Sequence, residues 1–211
     1  MYEKLFNFAK VEPSRVVNAT KKIGLRHKYR CNAGHHSTDR IVCMKENYSA
    51  KVAEPTPDDC RFMQMAIDLS VASVANGGGP FGAVIVRNGE VLATGTNSVT
   101  ESNDPTAHAE VSAIRAACVK IGHFKLDGCT VYSSCEPCPM CLSALYWAGV
   151  ERLFYGNTKA DAKAIDFDDS FIYDEIAKPY TERSIPSRNI MREEALRAFR
   201  AWEAKPDKVK Y

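Results

Sequence analysis

No uninterrupted apolar run in this chain approaches the roughly 20 residues needed to cross a bilayer, so no membrane span is expected. The opening Met1-Tyr2-Glu3-Lys4-Leu5-Phe6-Asn7 carries an acid and lacks an apolar stretch ending in small residues, and does not read as a secretory signal. A strong charge of one sign is missing too. With 28 Lys/Arg against 26 Asp/Glu the net charge is only +2, and that balance conceals an asymmetry. Residues 1–55 hold eleven basic against five acidic side chains, a net +6, and the remainder carries −4. A domain that grips nucleic-acid phosphates should carry its positive charge where the chemistry is done; here it does not, and no nucleic-acid partner is expected. The 8 cysteines show no framework-like spacing. Reduced thiols of a cytoplasmic enzyme are the expected reading.

What is present is a short constellation. His108-Ala109-Glu110 is followed, beyond Val111 to Glu136, by Pro137-Cys138-Pro139-Met140-Cys141. Cys138 and Cys141 stand three apart, a spacing that places both thiols on one helical face. Three ligands, His108, Cys138 and Cys141, leave the fourth tetrahedral position to water, which distinguishes a catalytic from a structural zinc site. The ordered pattern H-x-E then P-C-x-x-C suits hydrolytic deamination of a nucleobase. Glu110, which need not bind the metal, is the expected proton carrier. The alternative is a closed structural knot with Cys135 as fourth ligand and Glu110 as a helix cap.

Around these motifs the chain organises simply. Residues 1–55 show no sustained periodicity and read as an irregular, basic, flexible extension; Met1 and Met44 both stay open as the native start. A Cys31, His35, His36, Cys43 grouping there fits no common zinc module. Residues 56–211 form the expected catalytic domain. Thr56-Pro57-Asp58-Asp59 has the composition of a helix start, and Phe62, Met65, Ala66, Leu69 and Ser73 share one helical face. Asn88-Gly89 between two strand-like runs predicts a hairpin. Further helices are expected over Thr106–Ile121, Cys138–Ala148 and Arg192–Ala204, with strands over Thr130–Ser134 and Arg152–Tyr155 and a polar loop over Thr96–Pro105. Strands alternating with helices imply an α/β fold with helices on both faces of a mixed sheet.

Three blocks carry a resemblance: Gly78-Gly79-Pro80-Phe81-Gly82-Ala83-Val84-Ile85-Val86, Ser102-Asn103-Asp104-Pro105-Thr106-Ala107-His108-Ala109-Glu110, and Ser134-Cys135-Glu136-Pro137-Cys138-Pro139-Met140-Cys141. With Phe167-Asp168-Asp169-Ser170 and the terminal Tyr211, the segment 57–211 resembles the bacterial guanine deaminases of the cytidine deaminase superfamily. The resemblance implies a three-layer α/β/α sandwich and one Zn2+ per subunit. It implies a small-molecule purine substrate, guanine converted to xanthine and ammonia, with zinc-held hydroxide attacking C2 and Glu110 shuttling protons. It also implies Asp169 as a second catalytic acid, Phe81, Asn97, Ala109 and Tyr211 as substrate-binding residues, and a homodimer with exchanged C-terminal segments. Guanosine or cytosine deamination, tRNA adenosine deamination and a non-catalytic zinc module remain as alternatives. The −4 charge of the domain and the Tyr155-Gly156-Asn157-Thr158-Lys159 segment speak against the tRNA target.

Overall fold

The computed structural model describes residues 54–210; the basic extension with its cysteine–histidine grouping, and Tyr211, lie outside the described residues. The first helix among the described residues, α1 (Pro57–Ala75), opens as the sequence predicts. Thr56 is its N-cap, accepting from the Asp59 amide at 3.1 Å, while the Asp59 carboxylate accepts from the Thr56 amide at 2.8 Å. This reciprocal capping satisfies two amides that the helix itself cannot. Phe62, Ala66 and Ser73 form its buried stripe.

Strands β1 (Gly79–Arg87) and β2 (Glu90–Asn97) form a hairpin. Asn88 and Gly89 join them with φ of 53° and 79°, the doubly left-handed turn that matches the twist of paired strands. A short helix α2 (Val99–Ser102) interrupts the expected polar loop. Helix α3 (Ala109–Ile121) ends at Gly122, and α4 (Pro139–Ala148) ends at Gly149; both glycines are left-handed C-caps. Between them runs β3 (Cys129–Cys135), buried at every residue. Strand β4 (Arg152–Asn157) follows α4. Three further helices complete the described chain: α5 (Lys159–Lys163), α6 (Ser170–Ala177) and α7 (Arg192–Ala204).

The four-stranded sheet has the order β2-β1-β3-β4. β1 pairs antiparallel with both β2 and β3, and β3 pairs parallel with β4 across the α4 connection, so the sheet is mixed. Side chains alternate between its faces. Ala83, Ile85, Cys129 and Val131 pack against Ala109, Ala113 and Ala117 of α3 and Leu145 and Ala148 of α4. Val84, Val86 and Tyr132 point the other way, onto Phe62 and Ala66 of α1. The outcome is the α/β/α sandwich.

The alanines of α3 recur every fourth residue, which lets the helix lie close to the sheet. At Gly95 a side-chain carbon would sit 2.2 Å from the Ala109 carbonyl oxygen. Only glycine permits that approach, and the approach sets the height of the α3 N-terminus over the sheet. Helix α3 begins three residues later than periodicity suggests, because His108 is extended and acts as N-cap; Cys138 does the same for α4. Beyond β4 the character changes. Helices α5, α6 and α7 bury no residue.

Candidate metal centre and substrate cleft

The two N-caps meet at the carboxyl end of β3. His108 Nδ1 lies 3.5 Å from the sulfur of Cys138 and 3.5 Å from that of Cys141, and all three ligand atoms fall within 4.8 Å of one another. A tetrahedral zinc, with Zn–S of about 2.3 Å and Zn–N of about 2.0 Å, separates a nitrogen and a sulfur ligand by about 3.5 Å. The imidazole and two thiols therefore fit zinc, and they could hold it without rearrangement. Cys135 is not part of the cluster. It is buried, its thiol faces the Thr158 carbonyl at 3.7 Å, and burial raises its pKa to about 11. None of the six described cysteines is in a disulfide.

The electrostatics fit a cation as well. Hydrogen bonding to Cys141, then to His108, holds the Cys138 thiol far below its ordinary value. The Cys141 thiol is pushed up, first by its contact with Cys138 and then by burial. Its neighbour Cys138 in turn raises the His108 imidazole. Two thiols this close do not both ionise unaided, and a bound cation would let both serve as thiolates.

Glu110 stands in the first turn of α3, 6% exposed, and burial pushes its carboxyl up. Its Oε1 accepts from the Ser133 hydroxyl at 3.0 Å. No motif in the sequence flagged Ser133; its only signal is a serine that alternates with Cys129 and Val131 along a buried strand.

His108, Glu110 and Cys138 line a cleft of about 840 Å³, within the size range of small-molecule sites. Phe81 lines it and meets Phe167 edge-on at 5.0 Å. Asn97 lines it too, as the last residue of β2 rather than in the loop the sequence suggested. It pairs with Gly79, where any side-chain carbon would come within 3.0 Å of the Asn97 amide. The Asn97 oxygen accepts from the Val99 amide at 3.3 Å, which leaves its NH2 as the end that can donate to a ligand. Ala109 is fully buried and does not line the cleft.

The two neighbouring aspartates separate here. Asp168 pairs with Lys163 at 2.8 Å and accepts from the Ser170 amide at 3.0 Å; the pairing with Lys163, followed by these hydrogen bonds, holds its carboxyl near 2. Asp169 has no side-chain cap bond, lines the cleft, and is raised by partial burial and by the Cys138 charge. Tyr173, one turn further along α6, donates to the Pro137 carbonyl at 3.3 Å and ties this segment to the metal-binding loop.

Residues 56–157 match the cytidine and deoxycytidylate deaminase zinc-binding region, and the sandwich with its His108, Cys138, Cys141 triad is that of a zinc-dependent deaminase. The chain is 52% identical to a guanine deaminase of Bacillus subtilis over 71% of its own length and 97% of the relative's. The crystal structure of a guanine deaminase from that organism superposes with a TM-score of 0.70 over 72% of this chain and 97% of the other. A guanine deaminase structure from Nitrosomonas europaea matches at 28% identity and TM-score 0.50, covering 68% and 79% of the two chains. A tRNA-specific adenosine deaminase of Agrobacterium fabrum is 38% identical over 50% of this chain and 69% of that protein. The chain belongs to the guanine deaminase family. No helix among the described residues is long and apolar enough to cross a membrane.

Proposed function

We propose that this chain hydrolyses guanine, replacing the 2-amino group with an oxygen from water to give xanthine and ammonia. One observation carries the reading. A three-ligand zinc site has a buried, non-ligating Glu110 beside it at the floor of an aromatic-walled cleft. Bound zinc supplies the acidity, lowering the pKa of its water toward about 7.

The chain's own residues do the rest. Phe81, steadied by Phe167, offers an apolar wall to a flat ring. Asn97, which also lines the cleft, donates to a purine acceptor. Glu110, whose carboxyl burial raises, takes the two protons of the attacking water one after the other, passing the first to a ring nitrogen and the second to the departing amine. Asp169, aimed into the cleft and raised in the same direction, assists at the leaving amine. Tyr211 is assigned to close over the base.

We further assign a homodimer with exchanged C-terminal segments. What supports it is α7, whose Phe199 and Trp202 are 69% and 42% exposed on one stripe and which packs only marginally on the strands and helices of the domain. The pair of reduced thiols the metal requires suits the cytoplasm. The deciding experiment measures ammonia released by the zinc-loaded protein from guanine, guanosine, adenine, cytosine and a tRNA anticodon stem. Release from guanine is expected. Turnover of another substrate with guanine inert overturns the assignment.

A further inference from the structure

Glu110 has a buried companion that the deaminase motif does not include. Ser133 sits on β3, 2% exposed, on the face turned toward α3, and its hydroxyl donates to Glu110 Oε1 at 3.0 Å. β3 pairs Ser133 with Ala83 on one side and Tyr155 on the other, so the hydroxyl is fixed by two neighbouring strands. Glu110 is fixed independently by α3, which Gly95 allows to lie flush on the sheet. Two rigid elements thus bring one hydroxyl against one carboxylate oxygen where nearly all water is excluded.

We propose that Ser133 is a positioning residue. It holds Glu110 Oε1 in place so that Oε2 alone turns to the metal and the base and exchanges protons. This deepens the guanine deaminase reading and rests on it. The chemistry of the partner is apt. A hydroxyl donates to a carboxylate and accepts from a carboxylic acid, so one side chain serves Glu110 in both states through which a proton shuttle must pass. A cationic or amide partner would favour one state over the other. A carboxylate free to rotate would present either oxygen, and the reacting proton would lose its fixed path.

The test compares zinc-loaded full-length Ser133→Ala, Ser133→Thr and Ser133→Cys with the parent. For Ser133→Ala we expect kcat on guanine to fall about tenfold to a hundredfold, the usual cost of losing an orienting partner, with KM and zinc content within twofold. Ser133→Thr, which keeps the hydroxyl, recovers most of the rate. Ser133→Cys keeps the volume with a weak donor, loses rate like the alanine variant, and decides the matter if that variant does not fold. In a Glu110→Gln background, adding Ser133→Ala changes the residual rate less than twofold, because the group being positioned is already gone.

A second readout needs no turnover. In metal-free protein, the infrared carboxyl band that disappears in Glu110→Gln shifts in Ser133→Ala. An unchanged kcat in both Ser133→Ala and Ser133→Cys, an equal loss with and without the Glu110 carboxylate, or an unshifted band overturns the proposal. If the parent releases no ammonia from guanine, the functional reading fails, and the infrared band alone decides the positioning.

Discussion

Two buried carboxylates flank the same strand and are driven in opposite directions. On one face of β3, Asp59 accepts from the Thr56 amide and hydroxyl and from the Tyr132 hydroxyl, with the Arg152 guanidinium at 4.0 Å. The Thr56 hydroxyl, then that of Tyr132, holds its carboxyl at about 2. On the other face Glu110 is held by its own backbone amide, the Cys141 thiol and the Ser133 hydroxyl, beside the Cys138 charge, and burial outweighs these donors and lifts it. The residues that contact them, Tyr132 and Ser133, are consecutive. The balance of donors against desolvation sets the direction: donors prevail at Asp59 and desolvation prevails at Glu110. The donor-rich side stabilises a permanent anion that joins α1 to the sheet. On the Ser133 side desolvation prevails and favours the protonated acid.

The sharpest break of this contrast is at the metal. Cys141→Ala should lose zinc and all measurable turnover, checked by metal analysis and ammonia release. Glu110→Gln comes next: zinc content stays intact while kcat falls by about 10²- to 10⁴-fold, the range of general acid–base catalysis. Loss of zinc in that variant would instead make Glu110 a ligand.

On the opposite face the effect is one of stability. Asp59 is lowered from 3.8 to about 2 on folding, so its contribution is complete above pH 4 and is lost as pH falls from about 4 through 2. The shift corresponds to about 2 kcal/mol. Denaturant titrations of Asp59→Asn against the parent should differ by that order at pH 7 and converge near pH 2, with kcat little changed. Gly95→Ala should cost about 1–3 kcal/mol by forcing α3 off the sheet, seen as a lower melting temperature. The smallest effect is expected from Phe199→Glu with Trp202→Glu, which should shift the sedimenting species toward monomer and leave the unfolding of the sandwich nearly unchanged.

Much of this was readable in the chain. The capping residues Thr56 and Asp59, the Asn88-Gly89 turn and the helix stop at Gly122 are local signals, and each acts through backbone preferences that need no distant partner. The metal ligands were readable because a catalytic zinc needs particular donors at short spacing. Asn97 falls in the polar run Thr96–Pro105, which reads as a loop; its pairing with Gly79 extends the strand through it. Asp168 and Asp169 are indistinguishable as neighbours in sequence. Lys163 captures one of them, and the cleft receives the other.

The sequence by itself determined the donor set, the helix starts and the hairpin, since all depend on residues a few positions apart. Only the tertiary structure decided which face of β3 each side chain occupies, how close α3 approaches at Gly95, and that Ser133 meets Glu110. Those outcomes depend on strand register and helix height, which many distant contacts set together.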